Sequence, residues 1–335
     1  MLQVKILYLH ISNDTTNSDV WISKYLPKDK YDFEAISIPP SSLLKRLVFV
    51  FFIKKRLSKY DVLVTSEYYL SFFLNLRLLL SKCKTRHIVW GINQSRRLLL
   101  FRTGFLNKIV NSIFDRSNKI VVHSNHEAKL FFSAHNFSPR KTKFVHWGFD
   151  LPALKEARFV DFDDDYICMI GRNNRDWATF ATAVKLSKVN AVAVCSNLAE
   201  SDRSMLLASG IHIYEDIDMI DCFNIIKHSR ANVVLVKDDD RGAGHITVVA
   251  AMFMSKSQVI SKVEVLSDYF IDGSHGYMVP INSPEATSNV ILKIWNNKTL
   301  REMHGRRAKE YAEKWFTNKH IAYEFDLLVK DVCSI

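Results

Sequence analysis

The chain has 335 residues, 48% hydrophobic, 12% aromatic and 24% charged, with 46 Lys and Arg against 35 Asp and Glu and a formal net charge of +11. That length accommodates two domains, and the apolar content excludes a disordered, collagenous or low-complexity chain. The basicity sits in one half: residues 1–150 carry 24 Lys and Arg against 10 Asp and Glu, a net +14, whereas 151–335 carry 22 against 25. Such a field attracts nucleic acid, an anionic membrane surface or a polyanionic substrate, and composition does not choose among them.

From the N-terminus, MLQVKILYLH passes directly into a strand pattern, without the basic region, apolar core and cleavage site of a signal peptide. Strand-like runs follow at 4–10, 33–38, 61–67, 86–92, 119–124 and 143–148, with helical spacing at 68–82 and 125–136. The strongest apolar run, LVFVFFI at 47–53, is seven residues, far short of the roughly 18 a spanning helix needs. Five scattered cysteines (Cys83, Cys168, Cys195, Cys222, Cys333) form no CxxC pair and have no His at zinc-ligand spacing, so they read as reduced thiols of a cytosolic protein.

The second half repeats the alternation, with strands at 165–171, 189–196, 211–214, 232–238, 258–262 and 276–280 and helices at 176–187, 200–208, 218–229 and 246–255. From Ser283 the pattern is helical to the end. Apolar runs lacking polar alternation suit parallel strands covered on both faces, so the expectation is α/β, with two Rossmann-like domains. The boundaries expected are 1–150, a linker at 151–164, a domain at 165–315 and a C-terminal helix at 316–335 able to pack back on the first domain.

Two segments carry chemistry. RGAGHITVVAAM (241–252) follows a strand and opens a helix, where Gly242 and Gly244 allow close backbone approach and the free N–H groups of the first turn form an anion site. It is neither a P-loop nor the dinucleotide fingerprint, and a Gly-rich turn that merely caps a helix has the same look. MIGRNNRDW (169–177) places Gly171, Arg172 and Arg175 past a strand end, where two guanidiniums can clamp a pyrophosphate or sit as solvated surface cations.

GRNNRDW, then AGHIT with AAM, then DYFIDGSHGYMV resemble, in order and spacing, the donor domain of GT-B glycosyltransferases of the family 4 type found in bacterial polysaccharide assembly. VVHSNHEAKLFF and KFVHWGFD extend the resemblance over about residues 119–315. It implies two Rossmann-like domains facing each other across a cleft, with a helical C-terminus, and a nucleotide diphosphate sugar as substrate, with neither cofactor nor metal. It implies that Arg172 and Arg175 bind the diphosphate with Gly244, His245, Ile246 and Thr247, and that Tyr214 and Glu215 lie beside the base. The family's paired glutamates fall on Gly242 and Ala250, so both carboxylates are missing; His245 or one of Asp238, Asp239 and Asp240 could substitute.

Departure of a nucleotide diphosphate needs its growing negative charge stabilised, which arginines and helix N–H groups supply. An inverting enzyme also needs a base, for which Glu67, Asp14 and Glu127 are candidates, with His245 as a further catalytic candidate; Glu67 reads equally as a helix N-cap. A retaining enzyme, the family's usual type, needs no such base.

The basic half has a plausible partner. Lys45, Arg46, Phe49, Phe51, Phe52, Lys54, Lys55 and Arg56 interleave cations with aromatic rings, and the segment at 96–110 repeats the composition from Arg96 and Arg97. Such segments lie in a membrane interface or form core-facing helices with a cationic side. The expectation is a cytoplasmic enzyme, peripheral on the inner membrane face, with a saccharide or lipid-linked glycan acceptor and no nucleic-acid partner. A sugar-nucleotide epimerase and a non-catalytic basic binding or partner subunit are the alternatives.

Overall fold

Uninterrupted apolar runs become the inner strands, buried on both faces, and in each half of the chain the strands pair side by side in parallel. The computed structural model describes residues 3–12, 20–92, 104–135, 138–154, 156–238 and 243–334. The chain divides into two compact units, residues 1–148 with 318–335, and residues 149–317.

In the first unit the strands are β1 (Val4–Ile11), β2 (Tyr31–Ile38), β3 (Val62–Thr65), β4 (Arg86–Trp90), β5 (Lys119–Val122) and β6 (Thr142–Phe144). Their order among the described residues is β2-β1-β3-β4-β5-β6, with Ile6 of β1 opposite both Phe33 of β2 and Val62 of β3. The helices are α1 (Leu43–Phe52), α2 (Tyr68–Leu80), α3 (Gly104–Phe114) and α4 (Asn125–His135). Right-handed crossovers between parallel strands place these helices on one face of the sheet, each packed on the next. Leu7, Leu9 and Leu63 of the sheet close a core there with Val50 of α1 and Leu70, Leu74 and Leu78 of α2. The opposite face is covered by the C-terminal helix Asn318–Cys333, whose Phe325 lies fully buried against Trp90, ring centroids 5.1 Å apart.

In the second unit the strands are β7 (Ile167–Ile170), β8 (Ala191–Cys195), β9 (Ile211–Glu215), β10 (Ala231–Val234), β11 (Ser257–Ser261) and β12 (Gly276–Val279). The helices are α5 (Trp177–Ser187), α6 (Glu200–Ala208), α7 (Met219–His228), α8 (His245–Phe253), α9 (Glu264–Ser267), α10 (Pro284–Trp295) and α11 (Lys298–Trp315). Several starts are written locally. Asp176 caps α5 by accepting from the Thr179 N–H, Asp218 caps α7, Asn297 caps α11, and Pro284 opens α10. The sheet runs β12-β11-β10-β7-β8-β9, the doubly wound order in which the chain reverses direction between β7 and β10.

Polar groups inside the first unit are satisfied as a chain. Thr65 Oγ1 lies 2.8 Å from both Ser71 Oγ and His87 Nε2, His87 Nδ1 lies 2.7 Å from Asn75 Oδ1, and Asn75 donates to Ser117 Oγ at 2.8 Å. This chain ties α2 to β3 and β4 and holds His87 neutral, because complete burial pushes its pKa down to about 3. Burial likewise lowers His135, whose Nε2 is 2.9 Å from Tyr68 Oη, to about 4. The unfolded chain takes up protons near 6.5 that the folded chain refuses until about 4 or 3, so stability rises with pH across that window and is lost on acidification. Each such histidine contributes a slope of roughly 1.4 kcal/mol per pH unit. Urea midpoints measured between pH 7.5 and 4.5 should therefore fall steadily below about pH 6.5; a flat profile would overturn the neutral assignment.

Candidate functional site

Ligands in a doubly wound sheet lie beyond the carboxyl ends of the strands where the order reverses. In the second unit that point lies between β7 and β10, and the two motif segments leave these neighbouring strands. The loop 171–176 is joined to the stretch after β10 by backbone and side-chain contacts. Arg175 forms an antiparallel bridge with Val236, the Asp176 N–H donates to the Leu235 carbonyl at 3.0 Å, and Asn174 Nδ2 donates to the Asp238 carbonyl at 2.9 Å. Asn174 holds φ +54°, a left-handed turn for which Asn is well suited. Sequence reasoning named the arginines but passed over Asn174, Asp176 and Val236, which set the loop's shape; the signal available was the turn-forming run Asn-Asn-Arg-Asp.

Arg175 is buried, and its guanidinium folds back over Gly171, donating from Nε to the Ile170 carbonyl at 3.0 Å and from Nη1 to the Asn173 carbonyl at 3.1 Å. A Cβ on residue 171 would lie 2.2 Å from Arg175 Nε, so only glycine allows this packing. Burial pulls the Arg175 pKa down to about 10, and the group stays charged at neutral pH. No carboxylate lies within ion-pair distance of it among the described residues. Arg172 is exposed, and its charge partly offsets the burial that raises the Cys222 thiol on α7 to about 11.

Helix α8 begins at Gly244, which takes φ +93° and lies against Val234 of β10. Gly244 offers no side chain to cap the helix, and the first turn holds no acidic residue. The N–H groups of His245, Ile246 and Thr247 precede the first intrahelical bond, Val248 N–H to the Gly244 carbonyl. Ile246 is exposed and Thr247 half-buried. His245 Nε2 lies 2.9 Å from the Val265 carbonyl, and its ring packs on Tyr269, so this side chain anchors the helix start. Ala250 is fully buried among Val192, Phe223, Ile225 and Ile226, in an apolar setting unlike that of a sugar-binding carboxylate. Asp238 is exposed; Asp239, Asp240 and Gly242 lie outside the described residues.

Tyr214 and Glu215 end β9, on the far side of β8 from the β7–β10 reversal. Tyr214 donates to Asp161 at 3.0 Å, and Glu215 is ion-paired with Arg203 on α6.

The residues named in the first unit have defined partners. Glu67 N-caps α2 at φ +91°, accepting from the Leu70 N–H at 2.9 Å, with its second oxygen 3.2 Å from Arg46. Glu127 accepts from the His123 N–H at 2.7 Å while its own N–H donates to Ser124 Oγ, a capping arrangement at the start of α4. Asp14, Arg96 and Arg97 lie outside the described residues. Lys45, Phe52, Lys54 and Arg56 are exposed, Lys55 pairs with Glu34, Phe49 packs on the core beneath α1, and Phe51 is half-buried. Sequence reasoning also missed His10 and His123, which sit at the carboxyl ends of β1 and β5; the signal was a lone His closing an apolar strand. His10 Nε2 is 2.9 Å from Ser37 Oγ, and His123 Nδ1 is 2.8 Å from the Val145 carbonyl.

No protein-family model matches the chain. Two uncharacterized glycosyltransferases of Methanocaldococcus jannaschii, MJ1069 and MJ1178, are 28% identical over 120 residues and 29% identical over 90 residues. These stretches cover 36% and 27% of this chain and only 30% and 25% of the relatives' own lengths. Solved structures match it along its length. A glycosyltransferase from Rickettsia africae ESF-5 gives a TM-score of 0.74 at 14% identity, covering 98% of each chain. Sucrose-phosphate synthase from Thermosynechococcus elongatus gives 0.79 at 14% identity, covering 99% and 100%. Anabaena Alr3699/HepE in complex with UDP and glucose gives 0.75 at 12% identity, covering 98% and 100%. The chain therefore has the GT-B fold of these proteins, two parallel α/β units with a helical C-terminus, as its sequence resemblance implied.

The geometry of the helix start is testable by itself. Gly244→Ala puts a Cβ 2.8 Å from Val234 Cγ1 at a backbone angle that L-residues rarely adopt, and it should cost about 1–3 kcal/mol. Urea denaturation measures this, and an unchanged midpoint would show that the strained start is not required.

Proposed function

We propose that the chain is a glycosyltransferase moving a sugar from a nucleotide diphosphate donor, held by the second unit, to a saccharide or lipid-linked saccharide acceptor, held by the first. One observation carries this reading: the arginine loop after β7 and the uncapped, acid-free start of α8 leave neighbouring strands at the point where the sheet order reverses. Cations and helix N–H groups in that position suit a diphosphate. They are also what its departure requires, since the leaving group gains negative charge that Arg172, Arg175 and the first turn of α8 would stabilise. These groups supply the neutralising charge, and we take the reaction to be metal-independent and retaining. HepE was solved with UDP-glucose as well as with UDP and glucose, which makes a UDP-sugar the first donor to test.

The ribose contact would come from Thr247 or from backbone rather than from position 250, where Ala250 is enclosed by apolar side chains. The acceptor would belong to surface polysaccharide assembly, with the protein peripheral on the cytoplasmic leaflet; no helix among the described residues is long and apolar enough to cross a membrane. The absence of a carboxylate at Ala250 favours one second reading, a partner subunit that binds nucleotide without turning it over.

Calorimetric titration with UDP, GDP and their hexose conjugates separates these readings. Arg172→Ala and Arg175→Ala should each weaken binding about 10- to 100-fold, the equivalent of roughly 1.5–3 kcal/mol for a charge-assisted contact. Binding with donor consumption supports the transferase, and binding without consumption in the presence of saccharide acceptors supports the partner subunit. No binding to any nucleotide overturns the site.

A further inference from the structure

The helical layer of the first unit has an unusual outer face. On α1, Leu44, Val48 and Phe52 recur every fourth residue on the side away from buried Val50, and Leu44 and Phe52 are 68% and 77% exposed. On α3, Phe105, Leu106 and Ile109 form a second exposed ridge, Phe105 being 75% exposed, while Val110 and Phe114 face the core. Between them α2, YYLSFFLNLRLLL, has a single charged residue, Arg77, whose Nη1 is turned inward onto the Val50 carbonyl. Its last turn exposes Leu79 and Leu80.

The charges on these helices themselves have one sign, and the neighbouring carboxylates Glu67, Glu34 and Asp115 are paired with Arg46, Lys55 and Lys141. Residues 43–60, 68–86 and 104–114 contain no Asp or Glu at all. Exposed Lys45, Lys54, Arg56 and Lys108 lie among the ridges, and beyond Leu79 a cavity of about 360 Å³ is lined by Lys82, Lys84 and Arg116. An ordinary solvated helix carries mixed charge on its outer side, and the cores of protein–protein interfaces are depleted in lysine. Bulky apolar ridges on helices that carry lysines and arginines in excess over the few paired acids nearby instead match the boundary between acyl chains and anionic headgroups.

The geometry points to the outer face of α1, α2 and α3 as a docking surface for an anionic lipid bilayer, with the Leu and Phe ridges entering the headgroup–acyl boundary and the surrounding cations meeting phosphate groups. This deepens the peripheral placement proposed above by assigning it to a named surface, and vesicle binding tests it independently of the nucleotide site. Apolar insertion and cation attraction act together, so neither alone should hold the protein at physiological salt, where the screening length is about 8 Å.

The test is co-sedimentation of the full chain with phosphatidylcholine vesicles, with and without about 30% phosphatidylglycerol. Binding is expected only to the anionic vesicles and should weaken as salt is raised. Leu44→Gln with Phe105→Gln should reduce partitioning at least 10-fold, and Lys82→Ser with Lys84→Ser about 5-fold or more per charge removed. All four positions are exposed or line an open cavity, so the variants should fold, and an unchanged urea midpoint certifies it. The proposal is overturned by three outcomes: no binding to anionic vesicles, equal binding by the variants, or a concentration-dependent dimer that Leu44→Gln with Phe105→Gln abolishes. If vesicles bind but no nucleotide does, the surface stands and the transferase reading fails.

Discussion

The parallel pairing of β10 with β7, Ala231 opposite Ile167 and Val233 opposite Met169, joins two segments 64 residues apart in sequence, and at this line the second sheet reverses its order. Crossovers on either side of such a line turn away from each other, leaving the strand ends uncovered between them. Two segments inherit that opening. The loop after β7 needs a glycine at 171 so that Arg175 can fold over the backbone, and the segment after β10 needs Gly244 so that α8 can start against Val234. The local chemistry follows from the pairing; a one-residue slip would turn each strand's side chains to the opposite face and separate the loops.

Electrostatics support the proposal that this opening takes an anion. Arg175 is a buried cation that has only carbonyl oxygens for partners among the described residues, and burial of a charge is costly unless it is compensated. Nearby, α8 presents the positive end of its dipole with neither acidic residue nor side-chain cap. Arg203, by comparison, is ion-paired with Glu215, and Arg230 with Asp165. At an effective dielectric of about 20, an anion about 4 Å from a cation gains roughly 4 kcal/mol. A diphosphate beside Arg175 would thus recover much of what burial of the guanidinium costs.

The inner strands were legible because both sheets are parallel and covered on both faces there, so runs such as VLVT or AVAVC are apolar without alternation. The apolar run LVFVFFI is where composition and structure part. Its β-branched and aromatic residues suit a strand, yet all but Ile53 lie in α1, where Val50 reaches the core beneath a crossover helix while Val48 and Phe52 point outward. In the site, the residue types that bind anions were visible in the sequence, whereas their engagement was not. His245 carries no sign in the sequence that its Nε2 meets the Val265 carbonyl, nor Glu67 that Arg46 joins its cap. Those contacts come from elements 20 or more residues away, which local spacing does not encode.

The same long-range view separates two kinds of surface helix within one chain. In the second unit, α11 is studded with both signs, and Lys298 pairs with Glu302 and Lys309 with Glu313 one turn apart, the arrangement that stabilises a helix facing water. Helix α6 likewise opens with Glu200 and Asp202 and places Arg203 beside them. Helices α1, α2 and α3 occupy an equivalent outer layer in the first unit, yet carry no acid, few pairs and ridges of Leu and Phe. A general drift in composition would have altered the core-facing sides as well, and these are ordinary: Val50, Leu74 and Val110 pack as any helix would on a sheet. The difference is confined to the outer side, where packing within the unit imposes nothing, so the fold by itself does not account for it.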